Sequence, residues 1–395
     1  MTSVIAPSGA GLLESARALV PQIRAAGEEI DRTRQLPDPI VRAMAEAGLF
    51  RAQVPAQFGG GACDPPTYLR TLEEIARGNA SAAWILMNAG DWGRDAAFLD
   101  DETAREIFGR DPLTLVAGVG QAFGRAVEVD GGYRVTARWS RASGINHASW
   151  AHGQTTVYDG DEPRLLPNGK PDVRRVYFPI DEVQIIDTWH GAGLRGTCSH
   201  DFAVDDVYVP ARRSLPSVFF GRAPRVPDRL YAFPEIAYAM SDAGAVALGL
   251  AREAIDALVV LAGEKRPMIG RGKRLCELPH AQMWVAQAEG AVRSGRAFYY
   301  EAVEALWDTV RNGREIPLEQ YALYRLAFVQ AILNSVQAVD LMFTAGGASA
   351  LYESHVLQRC FRDVHAIAQP GFSSPPVLER VGQAFLGLDP DNPKL

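Results

Sequence analysis

The order in which helical and strand-like segments follow one another constrains the fold more than any single motif does. Apolar residues recur at helical spacing up to about residue 110, as at Leu12, Ala16 and Leu19. Short segments with alternating apolar residues and frequent glycines then occupy residues 112–215, and helical spacing returns from about Phe233. Because helices and strands are segregated rather than alternating, the sequence predicts an α+β fold and not a doubly wound α/β sheet.

Three domains follow from this order. We predict an N-terminal helical domain over residues 1–111, a middle β-domain over 112–215 and a C-terminal helical bundle over 216–395. The sequence Asp-Gly-Gly at 130–132, between two alternating segments, is typical of a hairpin turn. The predicted helices include residues 12–23, 40–48, 72–76, 81–99, 236–261, 279–310, 318–346 and 357–369.

Composition excludes several classes of function. The chain has 395 residues, of which 47% are hydrophobic and 22% charged, enough for a sizeable core. Its net charge of −7 gives no general attraction to nucleic acid or to an anionic membrane. No apolar run reaches the roughly 18–20 residues of a membrane span, and no secretory signal is predicted. The four scattered cysteines lack zinc-site spacing, so we expect no metal, reduced thiols and a cytoplasmic location.

A glycine-rich run at residues 187–210 is the strongest candidate for a binding site. Gly191, Gly193 and Gly196 would let the backbone approach a flat ligand, on which Trp189 could stack. A glycine-rich turn between two strands is the structural alternative, and the run alone does not decide between the two interpretations.

Five segments follow one another in an informative order along the chain, at residues 36–60, 137–150, 187–210, 275–302 and 345–369. Together they resemble the acyl-CoA dehydrogenase superfamily. The likeness is greatest to its flavin-dependent monooxygenase branch, which includes the oxygenase components of two-component aromatic hydroxylases. The resemblance implies an N-terminal helical domain, a middle β-barrel-like domain and a C-terminal four-helix bundle that assembles a homotetramer. It also implies one flavin, FMN or FAD, between the β-domain and the bundle, with a neighbouring subunit completing the site.

The resemblance also assigns cofactor-binding residues. A flavin needs a flat apolar bed for its ring, cationic or amide partners for its phosphate, and polar control of its N5–C4a edge. Ser143 matches a hydroxyl beside that edge, where a hydrogen-bond donor would stabilise the oxygenated cofactor. Arg266 matches an arginine that meets the flavin phosphate or ribose. Each assigned residue also has a structural interpretation, as core tryptophan, turn cap, solvated loop or helix cap. Together with candidates from the glycine-rich run and the β-domain, the predicted cofactor-binding residues are Trp139, Ser143, Trp189, Arg195, Thr197, Arg266, Gly346 and Gly347.

The sequence departs from the family pattern where a dehydrogenase needs a catalytic base. Residues 365–376 contain no Glu or Asp, and the alternative position near Ala239 has Asp242 as its closest acid. A dehydrogenase without this base runs its chemistry poorly, so the sequence favours oxygenation. Aromatic hydroxylases often have a histidine where this chain has Pro370, and His365 is expected on another face of its helix.

Phenol hydroxylation is therefore in doubt, and a substrate oxidised at nitrogen or at an activated carbon fits better. The predicted catalytic residues are Ser143, His147 and Asn88, with Asn88 or Asp91 facing the pocket. His190 is a second candidate acid–base group, although a lone histidine in a β-domain is more often structural.

The leading hypothesis is a flavin-dependent monooxygenase that hydroxylates or N-oxidises a small organic substrate with O2. Its reduced flavin would come from a separate NAD(P)H:flavin reductase, because the chain has no predicted nicotinamide-binding loop. The glycine-rich segment at 118–124 is followed by strand-like sequence rather than by a helix. Two alternatives stay open: an acyl-CoA dehydrogenase-like desaturase with a relocated base, and a non-catalytic scaffold with a flavin-binding fold.

Overall fold

The computed structural model, described for residues 9–109, 111–217, 223–371 and 375–390, has helices at both ends of the chain and strands between them. The helices are α1 (Gly9–Ala25), α2 (Gly27–Thr33), α3 (Asp38–Glu46), α4 (Pro65–Ala76), α5 (Ala80–Gly93), α6 (Asp101–Ala104), α7 (Glu235–Glu264), α8 (Pro279–Arg311), α9 (Leu318–Gly346), α10 (Val356–Ile367) and α11 (Pro375–Phe385). The strands are β1 (Val116–Val129), β2 (Gly132–Ala142), β3 (Trp150–Asp159), β4 (Glu162–Pro163), β5 (Val173–Pro179), β6 (Gln184–Ile186), β7 (His200–Pro210) and β8 (Ser214–Pro216). The α+β fold class is confirmed, and the domain boundaries at 111/112 and 215/216 stay predictions.

Helix α5 packs against both α7 and β1, so it lies between the bundle and the sheet. Its N-terminus is capped by Asn79, whose side-chain oxygen accepts hydrogen bonds from the amides of Ser81 (2.9 Å) and Ala82 (3.2 Å). A buried helix was predicted over residues 81–99, but α5 ends at Gly93 and a short 3-10 turn, Arg94–Ala97, follows it. This turn carries two charged side chains towards the site described below.

The eight strands form one mixed sheet in the order β6-β7-β2-β1-β3-β5-β8, with β4 paired to β3. The pair β1 and β3 is parallel, and the other pairs are antiparallel. The predicted hairpin at 130–132 is confirmed: Val129 pairs with Gly132, and Gly131 adopts a φ of 75° in the turn.

The sheet curves around Trp139 of β2. The indole is fully buried, stacks on Phe202 of β7 with ring centroids 4.8 Å apart, and lies 5.8 Å from the ring of Phe178 on β5. A Cβ at Gly153 of β3 would lie 2.1 Å from the indole, so only glycine leaves room for it. Because strands from both halves of the sheet meet on one ring, the sheet is barrel-like. The prediction that Trp139 forms a wall of the flavin pocket is wrong, since its ring is enclosed by the core of the β-domain.

Helices α7, α8, α9 and α10 form the C-terminal bundle, and α11, which the sequence did not predict, packs on α9. By length and composition alone, Leu318–Leu351, which includes α9, is apolar enough to cross a membrane, with a mean hydropathy of 1.5. The expectation that no segment is apolar enough was therefore wrong for this helix. Half of its apolar window is buried inside the protein, and a central core helix has the same composition.

Candidate active site

A cavity of about 1090 Å³ lies where α5, the sheet, the glycine-rich run and α10 meet. A pocket for one drug-sized ligand usually measures roughly 300–1,000 Å³, so this cavity has room for more than one small molecule. Its lining includes Trp84, Asn88, Asp91, Trp92, Arg94, Asp95, Gly120, Gln121, Ser140, Arg141, Ser143, Gln154, Arg175, Trp189, Gly191, Gly193, Leu194, Thr197, Ser199, Phe361, Arg362, His365, Gln369 and Pro370.

One stripe of α5 supplies the wall on the side of the N-terminal domain. Trp84, Asn88, Asp91 and Trp92 follow the i, i+4, i+7, i+8 spacing of a single helix face, and these four are only partly buried. The amide nitrogen of Asn88 donates to the carbonyl of Trp84 at 2.8 Å, which leaves its side-chain oxygen for the cavity. Seven residues of helix rise about 10 Å, so Trp84 and Asp91 lie at opposite ends of this wall.

A chain of hydroxyl groups reaches the cavity at Ser143. The hydroxyl of Thr197 donates to the carbonyl of Leu194 (2.8 Å) and lies 2.6 Å from the hydroxyl of Ser199, which lies 2.8 Å from that of Ser143. Each hydroxyl has one proton, so Ser199 must donate to Thr197 and Ser143 must donate to Ser199. The indole N–H of Trp84 donates to Ser143 at 3.2 Å. Ser143 therefore has one lone pair left for a ligand and acts as an acceptor, where the sequence predicted a donor.

The glycine-rich run is fixed to α10 by close backbone packing. A Cβ at Gly193 would lie 2.2 Å from the carbonyl oxygen of Arg362, so glycine is required for this contact. The guanidinium of Arg362 donates to the carbonyl of Ala192 at 2.8 Å and to Asp31 of α2 at 2.9 Å. A Cβ at Gly196 would likewise lie 2.1 Å from the side chain of Ile30. Gly193 and Gly196 are therefore needed for close packing against other parts of the protein and not for the approach of a ligand. The run as a whole still lines the cavity.

Asp363 of α10 holds the same run from inside the protein. Its carboxylate accepts a hydrogen bond of 2.6 Å from the backbone N–H of Leu194, and the side chain is 2% exposed. Burial raises the pKa of Asp363 to about 6. Leu194 has a positive φ of 49°, a conformation that is costly for a branched side chain and is maintained here by this bond.

Arg141 is a cation at the cavity that the sequence did not assign. Its φ of 68° is in the left-handed region, and its side chain lines the cavity. Among the described residues, its guanidinium has no hydrogen-bonding or ion-pair partner. A free, planar guanidinium suits a phosphate or another anionic group of a ligand.

The far end of the cavity contains a cluster of buried charges. Asp95 accepts hydrogen bonds from Arg175 and Tyr177, and Arg94 donates to the carbonyls of Leu230 (3.2 Å) and Phe233 (3.0 Å). These bonds fix the positions of both arginines and make this end of the cavity strongly polar.

Two carboxyl groups meet in this cluster. Asp91 lines the cavity, and Asp242, near the start of α7, lies behind it with no exposed surface. Burial and the charge of its neighbour raise the pKa of Asp242 well above the usual range, and burial raises that of Asp91 to about 7 although Arg94 opposes the shift. The sequence predicted either Asn88 or Asp91 at the pocket, and both line it; the position of Asp242 against Asp91, which depends on the packing of α7, was not predicted.

Four of the predicted site residues come together at the cavity: Asn88, Ser143, Trp189 and Thr197. The indole N–H of Trp189 donates to the carbonyl of Leu194 at 2.9 Å, which sets the ring on the inner side of the glycine-rich run. Their individual roles stay predictions.

Other predicted residues lie outside the cavity of this chain. His147 is partly buried on the side of Asp38 and does not line the cavity, so its assignment as a catalytic residue is wrong for the cavity of this chain. Arg195 is directed at Asp31, 3.9 Å away, and not at the cavity. His190 is exposed and lies 3.2 Å from the guanidinium of Arg34.

Arg266, Gly346 and Gly347 lie together at the end of the bundle, outside this cavity. The ammonium of Lys265 donates to the carbonyl of Gly346 at 2.5 Å, and the guanidinium of Arg266 donates to the carbonyl of Gly272. Their predicted role depends on a neighbouring subunit, so it stays a prediction.

His365 lines the cavity, where the sequence predicted that it would face elsewhere. Its Nε2 lies 3.0 Å from the carboxylate of Asp340, and its ring packs edge-on against Phe361. The prediction assumed one continuous helix from His365 to Pro370. Helix α10 ends at Ile367, so Gln369 and Pro370 return to the same side as His365.

Two family models match this chain: Acyl-CoA dehydrogenase, N-terminal domain, over residues 11–95, and Acyl-CoA dehydrogenase, C-terminal domain, over residues 242–373. The chain belongs to the acyl-CoA dehydrogenase family. This family member is 32% identical over 368 residues to an indole-3-acetate monooxygenase of Pseudomonas putida, which covers 92% of this chain and 90% of that protein. It is 30% identical to the oxygenase subunit HsaA of a flavin-dependent monooxygenase of Mycobacterium tuberculosis, over 93% of this chain and 92% of that subunit.

Comparison with solved structures leads to the same kind of protein as the sequence relatives. The crystal structure of the HsaA monooxygenase from M. tuberculosis matches with a TM-score of 0.88 at 28% identity, covering 98% of this chain and 100% of that chain. XiaF from Streptomyces sp., in complex with FADH2 and glycerol, matches with a TM-score of 0.89 at 26% identity and covers 98% of both chains. This acyl-CoA dehydrogenase family member is thus an oxidoreductase of the flavin-dependent monooxygenase branch.

The cavity fits a flavin. Ser143 keeps one acceptor position, which suits the N–H groups of a reduced flavin ring, and Trp189 offers an aromatic face beside it. Arg141 offers a free guanidinium for a phosphate group. The aromatic and small residues between them provide the apolar bed that a ring needs.

Proposed function

We propose that this protein is the oxygenase component of a two-component monooxygenase that hydroxylates a small aromatic substrate. The observation that carries the proposal is one cavity with two polar ends, Ser143 and its hydroxyl chain at one end and Asp91 at the other. Trp84, which donates to Ser143, and Asp91 are separated by about 10 Å along helix α5, enough for one or two aromatic rings. The names of the relatives, monooxygenases of aromatic acids and phenols among them, support this substrate class.

The residues of this chain would bind and orient the two reactants. When bound, the reduced flavin supplies the electrons that activate O2. Ser143 would accept a hydrogen bond from the flavin ring, Trp189 would pack on it, and Arg141 would pair with its phosphate. Trp92, Phe361 and the backbone around Pro370 exclude water from the space that remains for substrate.

The proposal predicts that the chain consumes O2 only when a separate reductase supplies reduced flavin. NADH added to the protein with oxidised flavin should give no O2 uptake, and adding a flavin reductase should start it. Stopped-flow mixing of the reduced complex with oxygenated buffer should show a long-lived absorbing intermediate. Anaerobic bleaching of the bound flavin by an acyl-CoA thioester, with no such intermediate, would instead support a dehydrogenase.

The preferred cofactor is reduced FAD rather than FMN, and XiaF, whose structure contains FADH2, is the relative that supports this choice. Fluorescence titrations with each reduced flavin under anaerobic conditions compare the two affinities directly.

The free state of all four cysteines suits the reducing cytoplasm, which we propose as the location of the protein.

We also propose a homotetramer built through the bundle. Large apolar side chains are exposed around its outer surface, and Leu351 and Tyr352, 68% and 70% exposed, lie a few residues beyond Gly347. A neighbouring subunit that covers them would bring Arg266, Gly346 and Gly347 towards a flavin tail. The other large apolar residues exposed in the described part of the bundle region are Val259, Val260, Met268, Met283, Leu323, Leu333, Leu378, Phe385, Leu386 and Leu388.

Light scattering after size-exclusion chromatography should give a tetramer for the wild type and a smaller species for the double variant Leu351→Glu, Tyr352→Glu. The double variant should also bind FAD at least tenfold more weakly, a difference of about 1.4 kcal/mol. Leu165→Glu, at an equally exposed leucine of the β-domain (62%), is the matched control and should stay tetrameric. A monomeric wild type would contradict the proposal.

A further inference from the structure

The carboxyl pair Asp91–Asp242 has features that the cofactor site does not explain. Asp242 is completely buried, and among the described residues no side chain other than that of Asp91 forms a hydrogen bond with its carboxyl group, whose other neighbours are the backbone N–H groups of Asp242 and Ala243. Oδ1 of Asp91 has no hydrogen-bond partner among the described residues. A buried polar group without partners is costly, and such groups are usually retained for a function. Asp91 is the member that a ligand reaches, because it lines the cavity.

We propose that the Asp91–Asp242 pair shares one proton and is the acid–base group of this active site, taking the O–H proton of a neutral phenolic substrate through Asp91. Two adjacent carboxylates in a buried site do not both ionise, so one proton stays with the pair at neutral pH. This inference rests on the proposed function, and it names the substrate class of the same cavity.

The charges around the pair favour a neutral hydroxyl donor. With one shared proton, the pair and Asp95 contribute two negative charges, and Arg94 and Arg175 contribute two positive charges. When the proton moves from the phenol oxygen to Asp91, the pair becomes neutral and the negative charge moves to the substrate. The total charge is unchanged, and the two arginines that acted on Asp91 now act on the phenolate. The electron-rich ring is the form of a phenol that reacts with an electrophilic oxygen.

No other described group near the pair takes over this role. The hydroxyl of Tyr68 donates to the carbonyl of Leu86 at 2.9 Å, and those of Tyr299 and Tyr324 bond to the backbone and side chain of Ser241. Asp95 is already paired with Arg175 and Tyr177. The titratable and charged groups that act on the pair, from every described element packed against it, are Tyr68, Arg94, Asp95, Arg175, Tyr299 and Tyr324.

The test uses 4-nitrophenol as the probe, because its phenolate has a strong visible absorption that its neutral form lacks. In the full-length protein with oxidised FAD, where no turnover occurs, binding should convert the probe to phenolate at a pH where free probe is still largely neutral. Asp91→Asn should bind the probe as the neutral phenol and abolish the visible difference spectrum. Asp242→Asn leaves Asp91 as an ordinary carboxylate, so phenolate formation should need a pH at least one unit higher.

Glu253→Gln is the matched control, since Glu253 is a buried carboxylate that pairs with Arg24 outside the cavity. It should bind the probe as the wild type does. Thermal unfolding from pH 5 to 8 checks that the variants fold. Its pH dependence also measures the protonation of the carboxyl pair without the probe. A carboxyl group whose native pKa is raised stabilises the fold at low pH and loses this contribution as the pH rises through that pKa. Asp91→Asn should therefore flatten the fall in Tm between pH 5 and 8.

A wild type that binds the probe in its neutral form, or an Asp91→Asn variant with an unchanged difference spectrum, would overturn the inference. If the wild type binds the neutral probe but still forms the oxygen-dependent absorbing intermediate, the proposed function stands and only the role of the carboxyl pair fails. If no intermediate forms, the proposed function itself fails.

Discussion

Replacing Gly193 with alanine should cost about 3 kcal/mol of folding stability and remove tight flavin binding. The new Cβ would lie 2.2 Å from the carbonyl oxygen of Arg362 and 3.0 Å from the Cβ of Ala366, so either the glycine-rich run or α10 must move. The atom that is overlapped most belongs to a helix backbone, which cannot rotate away as a side chain can. A shift of the run also pulls the N–H of Leu194 from the buried carboxylate of Asp363, which leaves that acid without its donor.

Calorimetry measures the loss of folding stability in Gly193→Ala, and flavin titration measures the loss of flavin binding. The matched control is Gly290→Ala on α8, where an added Cβ meets no atom within 4 Å and alanine should stabilise the helix by up to about 1 kcal/mol. A Gly193→Ala protein with wild-type Tm and wild-type flavin affinity would show that the contact between the run and α10 is not needed for the site.

Ser143→Ala should turn most of the consumed O2 into hydrogen peroxide instead of product. A hydrogen bond to a reacting or charged group contributes about 1.5–3 kcal/mol, so the ratio of product to peroxide should fall by roughly 10- to 100-fold. The substitution also leaves the N–H of Trp84 without its acceptor, while the bond between Ser199 and Thr197 stays in place. The loss should therefore be confined to the cavity end of the hydroxyl chain.

Coupling is measured by comparing peroxide release with product formation at equal O2 uptake. Ser143→Thr keeps the hydroxyl and should recover a large part of the coupling. Ser149→Ala is the control, because the hydroxyl of Ser149 makes only a long bond of 3.4 Å to the carbonyl of Leu115, outside the cavity. Unchanged coupling in Ser143→Ala would remove Ser143 from the mechanism.

Local patterns were sufficient for much of the fold. The predicted helix at 318–346 matches α9 at both ends, since Pro317 precedes its start and a glycine pair ends it. The hairpin at 130–132 follows from the turn chemistry of two residues. Ser143 and Thr197 were found because each lies in a segment with its own motif, and the fold brings the two segments to one cavity.

Contacts between distant segments were not predictable in the same way. Nothing near Asp91 or Asp242 in the sequence indicates that the two carboxyl groups meet, because the contact depends on how α5 packs against α7. His365 was misplaced because the extent of its helix was overestimated by two residues. Trp139 was assigned to a ligand because the sequence shows an aromatic residue beside a motif but not the sheet that closes around it.

The rigid spacing along α5 has a consequence for selectivity. Trp84 donates a hydrogen bond to Ser143, the residue that would face the cofactor. Asp91 lies two turns later on the same helix and would contact the far end of the substrate. The distance between these two contacts is therefore fixed by the helix and does not adjust to the size of the substrate. A monocyclic or bicyclic compound spans that gap, whereas an elongated polycyclic one would lose one contact or the other. Widening the accepted size range would therefore require a change of helix length or position, and side-chain substitutions alone would mainly alter affinity.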